Sequence, residues 1–155
     1  MEVSQFSAET DRGLRLAGWD PGRRVDTTEW RNELERGGFR WTAAAENFLS
    51  RFGGLEIELS GPGITTARVP FELDPLLAAG EDDRFSEWAA VVGEPITPVG
   101  ELDSGRFFLG ISESGDLCLV ADWLASFGRW PAALDALFLG ISPAPVDDSA
   151  SADLE

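Results

Sequence analysis

The sequence predicts an α+β protein whose largely antiparallel sheet has about five to six strands and is packed by helices. Two observations predict this class. Segments with the 3.6-residue period of an amphipathic helix and segments with the two-residue period of a half-buried strand both occur, five of each. They follow one another in runs of helices and runs of strands, and turns of a few residues join the later strands, which favours antiparallel pairing.

Residues 41–59 are the clearest stretch, a helix that leads directly into a strand. Thr42 is suited to the N-cap, where its hydroxyl can accept a hydrogen bond from an amide of the first turn. Apolar residues then fall at i, i+3, i+4 and i+7 and form one stripe: Ala45, Phe48, Leu49 and Phe52. Gly53 and Gly54 are expected to end the helix, and from 55 to 59 apolar residues alternate with glutamates.

Two further helices are expected before this stretch. The first runs around residues 6–16, although Gly13 weakens it. The second begins at Asp26, which together with Glu29 makes an acidic version of the capping box. Two adjacent glycines, at 37 and 38, end it.

The first two strands are expected to form a hairpin across the turn Gly61-Pro62-Gly63. They cover residues 55–59 and 65–71. A register centred on Pro62 places the apolar residues on one face and Glu56 opposite Arg68 on the other. The sequence therefore predicts this pairing.

The second half of the chain predicts a helix, three strands and a last helix. The helix starts near Glu81 and stops at Gly93. An antiparallel meander follows, with strands at 99–102, 106–111 and 117–121. Asp122 is expected to cap a brief helical turn through Phe127, and the last helix starts at Pro131.

Length and composition predict one domain at residues 1–140 and a flexible acidic tail at 141–155. No apolar run approaches the ~20 residues of a membrane span, and no basic-then-apolar leader is visible. The single cysteine, Cys118, excludes an internal disulfide and a cysteine-cluster metal site. We therefore expect a cytoplasmic protein.

Charge is unevenly distributed along the chain, whose net charge is −16. Residues 1–51 carry eight arginines against nine acidic residues, whereas residues 52–155 carry four against nineteen. Such a field repels nucleic acid and anionic lipid, and it attracts a basic partner to the C-terminal two thirds. An acidic surface also keeps a protein soluble, so charge alone does not decide between these interpretations.

The missing residue types limit the possible chemistry. The chain has no histidine, lysine or tyrosine, which removes the usual general base, imidazole metal ligands and Schiff-base chemistry. Only an enzyme that depends on carboxylates, alone or with a metal, stays possible. We predict no catalytic residue, no metal ligand and no cofactor, and hence a binding protein rather than an enzyme.

Seven residues are candidate contacts with a protein partner: Glu81, Asp82, Asp83, Glu101, Asp103, Asp116 and Trp123. Each has a structural interpretation as well. Acidic residues in the first turn of a helix interact favourably with its dipole, and acidic residues in hairpin turns are common. An aromatic residue after a turn either anchors an interface or packs on the sheet. The sequence leaves both interpretations open.

A series of separated motifs also occurs in a familiar order. It comprises Ala17-Gly18-Trp19, Pro21-Gly22-Arg23, Val25-Asp26, Trp30, Phe48-Leu49…Phe52-Gly53-Gly54-Leu55, Gly61-Pro62-Gly63, Pro70-Phe71…Asp74-Pro75, Gly80-Glu81…Asp83-Arg84-Phe85, Pro98-Val99-Gly100-Glu101 and Asp122-Trp123-Leu124. Over roughly residues 14–140, the chain resembles the third family of the SUKH superfamily of bacterial immunity proteins.

This resemblance implies an α+β fold with a twisted sheet packed by helices. It also implies a cytoplasmic protein that binds and neutralises the toxin domain of a polymorphic toxin system, commonly a nuclease or a nucleic-acid deaminase. An acidic surface suits a basic toxin of that kind. The expected partner is therefore that toxin domain, with neither nucleic acid nor membrane as a partner.

Two other functions stay open at this point. One is an intracellular adaptor or regulator that binds a cellular protein and no toxin. The superfamily that the chain resembles also contains eukaryotic regulatory proteins. The other is a hydrolase that uses the Glu81–Asp83 carboxylates with a divalent ion. A cleft that holds those acidic residues and a bound ion would favour the hydrolase, and acidic residues spread over a convex face would oppose it.

Overall fold

The computed structural model of the protein describes residues 6–146. Within that range it has five helices: α1 (Ala8–Leu16), α2 (Thr28–Arg36), α3 (Ala43–Phe52), α4 (Asp82–Val92) and α5 (Ala132–Leu139). It has seven strands: β1 (Glu56–Ile57), β2 (Phe71–Glu72), β3 (Ile96–Leu102), β4 (Phe107–Ser112), β5 (Asp116–Val120), β6 (Leu124–Arg129) and β7 (Ala144–Pro145). The predicted α+β class is confirmed.

The strands form one open sheet in which they lie in chain order from β1 to β7, and each neighbouring pair is antiparallel. The predicted meander of β3, β4 and β5 is confirmed. The sheet exceeds the expected five to six strands because β6 and β7 continue it beyond β5.

Alternating side chains of the sheet enter two separate cores. In β5, Leu117 and Leu119 belong to one apolar cluster, and Cys118 and Val120 belong to the other. The first cluster includes Leu14 of α1, the buried face of α3 and most of the buried residues of α5, and the second includes Phe85 of α4 and Leu34 near the end of α2. Because successive side chains of a strand point to opposite faces, helices cover both faces of the central sheet.

The helix predicted after Thr42 is confirmed as α3. The Thr42 hydroxyl accepts a hydrogen bond from the amide of Ala45 at 3.1 Å. All four residues of the predicted apolar stripe are fully buried: Ala45, Phe48, Leu49 and Phe52. Gly54 follows with a φ of +87°, a conformation that glycine adopts without steric cost.

Gly13, which weakens α1 as an isolated helix, is explained by packing. A Cβ atom at this position would overlap the ring of Phe138 in α5. Phe138 is itself almost fully buried. The glycine therefore lets two helices from the two ends of the chain approach each other closely.

The predicted hairpin register is wrong. Glu56 lies opposite Glu72 rather than Arg68, and residues 65–71 do not form one strand. The amides at 64, 65 and 66 instead donate hydrogen bonds to the carbonyls of Leu139 and Gly140 at the end of α5. This segment therefore satisfies its backbone on a helix end far away in the sequence, which no local pattern reveals.

The helical turn predicted from Asp122 to Phe127 is also wrong, because this segment forms β6. The amide of Ala121 donates to the carbonyl of Trp123 and closes a tight turn, so that Leu124 lies opposite Val120.

The capping box predicted at Asp26 does not form as expected. Asp26 accepts a hydrogen bond from the amide of Thr28, but the N-cap position is Thr27, whose side chain makes no capping hydrogen bond.

Residues 141–146, the first part of the expected tail, contribute the last strand. β7 pairs with β6, and the amide of Val146 donates to the carbonyl of Leu124 at 2.8 Å. The rest of the expected tail, residues 147–155, lies outside the described residues, as do residues 1–5.

Candidate protein-binding site

The antiparallel sheet brings two turns to one end. The β3–β4 turn carries Asp103 and the β5–β6 turn carries Trp123, and β4 and β5 run in opposite directions between them. The β4–β5 turn lies at the other end, about 20 Å away along a six-residue strand. Asp116 belongs to that other end, where its carboxylate is 3.8 Å from the guanidinium of Arg129. The structure thus places Asp103 and Trp123 at the same end of the sheet and Asp116 at the opposite end.

Three glutamates from neighbouring strands form a row across the sheet. Glu56 lies opposite Glu72, and Glu72 lies opposite Glu101. The adjacent apolar residues Ile57 and Phe71 are buried in the core, so the glutamates point away from it. Within residues 6–146, no salt bridge joins these three carboxylates to an arginine. We call Glu56, Glu72 and Glu101 the acidic row.

Glu72, the central member of the acidic row, has other carboxylates around it. Partial burial raises the pKa of Glu72, and repulsion by Glu56, Asp74 and Glu101 raises it further. Like charges directly opposite each other destabilise a pair of strands. The row is therefore an arrangement that a cation from outside would stabilise.

Sequence reasoning found only one member of this row, Glu101. It missed Glu56 because the predicted register supplied that residue with Arg68 as a counter-ion. In the structure Arg68 lies instead 3.1 Å from Glu9. Glutamates alternate with apolar residues in both β1 and β2. This pattern would have indicated the row if the pairing of Glu56 with Glu72 had been known.

The acidic residues at the start of α4 have different surroundings. Glu81 accepts a hydrogen bond from Arg84 at 2.8 Å, and Arg84 also donates to Asp122 at 2.8 Å. These bonds, led by the one to Asp122, raise the pKa of Arg84. Glu81 therefore helps to hold α4 on the β5–β6 turn. Asp83 is exposed, and the carboxylate of Asp82 lies beside the backbone of Gly38.

An apolar groove of about 530 Å³ opens beside the same end of the sheet. Its side chains include Val69, Phe107, Leu119, Trp123, Phe127 and Ile141. Trp123 is 47% exposed and contacts the ring of Phe107 edge to face, with 5.8 Å between the ring centres. Trp123 is thus both packed on the sheet and accessible. One acidic side chain, Asp103, also lines the groove.

The apolar groove and the acidic row meet around the β3–β4 turn. In β3, Leu102 lines the groove and its neighbour Glu101 belongs to the row. In the turn itself, Asp103 lines the groove, whereas Ser104 lies beside the glutamates. A partner that sits over this turn would therefore contact apolar and acidic surface together.

Residues 6–146 also form a cleft of about 520 Å³ beside α4, which is lined by Glu81, Asp83 and Glu87. In that range no group of three or more acidic or cysteine side chains is placed to hold a metal ion. The same part of the chain has no helix that is long and apolar enough to cross a membrane. Burial raises the pKa of Cys118 to about 12, so its thiol stays protonated at neutral pH.

A comparison with protein-family models matches residues 6–138 to the SUKH-3 immunity protein family. The chain belongs to this family. The match covers all five helices of the described range except the last residue of α5, and it covers β1 to β6. The resemblance that the sequence motifs indicated is therefore confirmed, and the chain is a member of an immunity protein family. A search of curated proteins and a search of solved structures gave no match.

Proposed function

We propose that this SUKH-3 protein binds the toxin domain of a polymorphic toxin system in the cytoplasm and neutralises it by direct contact. The toxin domain is a basic nuclease or nucleic-acid deaminase. Membership of an immunity protein family supports a protein toxin as the partner. The observation that carries the acidic contact is the row of three facing glutamates at one end of the sheet.

Electrostatics supports a basic partner. The net charge of −16 attracts a basic domain from a distance and raises its association rate. At short range, lysine or arginine side chains of the toxin would relieve the repulsion around Glu72. A toxin that acts on nucleic acid has a basic surface for its substrate, so an acidic protein can compete for that surface.

In this proposal the seven candidate residues have different positions relative to the toxin. Glu101, Asp103 and Trp123 form the centre of the contact, since they lie around the β3–β4 and β5–β6 turns. The residues at the start of α4 form its margin: Glu81, Asp82 and Asp83. Asp116 takes part only with a toxin large enough to reach the other end of the sheet.

The test is co-expression with the toxin domain encoded beside this gene, followed by co-purification and a growth assay. We expect a complex that restores growth. A variant in which Asp82, Asp83, Glu101 and Asp103 are all changed to lysine should bind more slowly and more weakly, with Glu113→Lys at the other end of the sheet as the control. An unchanged association rate and affinity would contradict the acidic contact. No complex and no rescue, with a folded protein, would favour the adaptor function.

A further inference from the structure

The apolar groove combines a half-exposed tryptophan with a wall of apolar side chains. It exposes part of Trp123 on a protein with 28 acidic residues. Its volume of about 530 Å³ falls within the range of pockets that take ligands or anchoring side chains. A concave, mostly apolar pocket with one charged group at its edge is the usual form of a binding site.

The wall of the groove is held in place by backbone hydrogen bonds. The amides of Thr65 and Thr66 both donate to the carbonyl of Gly140, and the amide of Ser142 donates to the hydroxyl of Thr65 at 2.7 Å. Two segments that are far apart in sequence, 64–66 and 139–142, are therefore fastened to each other. The groove is preformed, and filling it requires little ordering of the chain.

Charge identifies the kind of segment that fits. Asp103 is the acidic side chain of the groove, and its contact with Arg106 is long, at 3.4 Å, with the arginine side chain 75% exposed. A cation from a partner can take the place of Arg106. Glu101 and Glu72 follow on the other side of the turn and extend the negative surface.

We propose that the groove receives a large apolar side chain of the toxin, from a segment in which an adjacent lysine or arginine binds Asp103. This inference rests on the proposed function and adds to it an anchor for the partner. Burial of one large side chain against Trp123 supplies affinity, and the charge pair at the rim supplies orientation.

The test compares single variants of the full chain for binding to the toxin domain encoded beside this gene, by calorimetry. Trp123→Ala should raise Kd at least about tenfold, and Asp103→Asn should raise it about three- to tenfold. Two matched controls should leave Kd unchanged. Leu16→Ala removes an exposed apolar side chain at the end of α1, which lines neither the groove nor the acidic row, and Glu113→Gln removes a carboxylate from the other end of the sheet.

The possible outcomes distinguish a failure of the groove inference from a failure of the proposed function. If wild type binds the toxin and both test variants bind equally well, the groove inference is overturned while the proposed function stands. If wild type forms no complex, the proposed function fails. The groove is then tested by a nuclear magnetic resonance titration of the full chain with a short peptide that has leucine and phenylalanine followed by two lysines. Its counterpart has two glutamates in place of the lysines.

In that titration, selective shifts of the Phe107 and Trp123 signals with the lysine peptide would support the groove. No such shifts, or equal shifts with the glutamate peptide, would overturn it.

Two other occupants of the groove would give different experimental results. Tighter peptide binding by a chain shortened after Val146 would assign the groove to this protein's own C-terminal residues. A small apolar molecule found by mass spectrometry of the purified protein would assign it to that molecule. Either result overturns the inference.

Discussion

Arg23 shows how one side chain can hold a loop and a helix end together. Its guanidinium donates to the carbonyl of Arg51 at 2.8 Å and to that of Gly53 at 2.9 Å, at the end of α3. Burial lowers the pKa of Arg23, and Asp20 partly offsets this effect. The motif Pro21-Gly22-Arg23, which contributes to the family resemblance, therefore has a structural role here.

We expect Arg23→Lys to destabilise the protein by about 1.5–3 kcal/mol, because an ammonium group cannot reach both carbonyls with the planar fork of arginine. Urea unfolding measures this loss. The exposed Arg12 provides the matched control, and Arg12→Lys should leave the unfolding midpoint unchanged. Equal unfolding midpoints for the two variants would show that the two hydrogen bonds of the Arg23 guanidinium do not contribute to stability.

Glu72 should show the opposite effect, a gain in stability when its charge is removed. Its folded-state pKa is raised, so the native state binds the proton more tightly than the unfolded state, and stability falls as pH rises through that pKa. Glu72→Gln should therefore stabilise the protein at pH 7 by up to ~1 kcal/mol, and the gain should vanish at pH values where the carboxylates are protonated.

Thermal unfolding of both proteins across pH 3–8 measures this difference. If the acidic row binds the toxin, the same variant should bind it more weakly although it is more stable. A variant that loses stability at pH 7 would contradict the repulsion within the row.

Cys118 is expected to be unreactive in the native protein. The thiol is buried in β5 and its pKa is raised to about 12 by burial, then by Asp116 and Glu94. A thiol reagent such as DTNB should therefore modify it only as fast as the protein unfolds. Reaction in native buffer at the rate of a free cysteine would contradict this placement.

At the scale of elements, the helices were more predictable than the strands. Thr42 and the apolar stripe of α3 are local signals, so the cap and the buried face followed from neighbouring residues alone. β6 was missed because Trp123, Leu124 and Phe127 also suit one turn of a helix, and only pairing with β5 makes the segment a strand. The acidic row was missed for the same kind of reason, since it depends on a register between strands.

The contact between α1 and α5 gives a test at this scale. Gly13→Ala improves helix propensity by about 1 kcal/mol, but its new methyl group overlaps the ring of Phe138. We expect a net destabilisation of about 1–3 kcal/mol in urea unfolding, as overpacked cores show. Combining it with Phe138→Leu should recover part of the loss. A more stable single variant would show that the two helices can move apart freely.

At the scale of the whole molecule, the excess of acidic residues affects the free protein and the complex in opposite ways. Added salt screens the self-repulsion of a chain with a net charge of −16, and it also weakens attraction to a basic partner. Between about 50 and 500 mM salt, the free protein should become more stable while its association with the toxin slows at least about tenfold. Stopped-flow association rates check the second effect, and an unchanged rate would argue against electrostatic steering.

The order of the strands also bears on how the protein folds during its synthesis. Each strand pairs with the one that precedes it, so the sheet can grow while the chain leaves the ribosome. Its core closes later, because the amide of Ser7 beside α1 bonds to Asp135 in α5 at 3.0 Å. The groove is completed last, by residues 140–145. If the groove binds the toxin as proposed, a newly made molecule can bind it only after residue 145 has been synthesised.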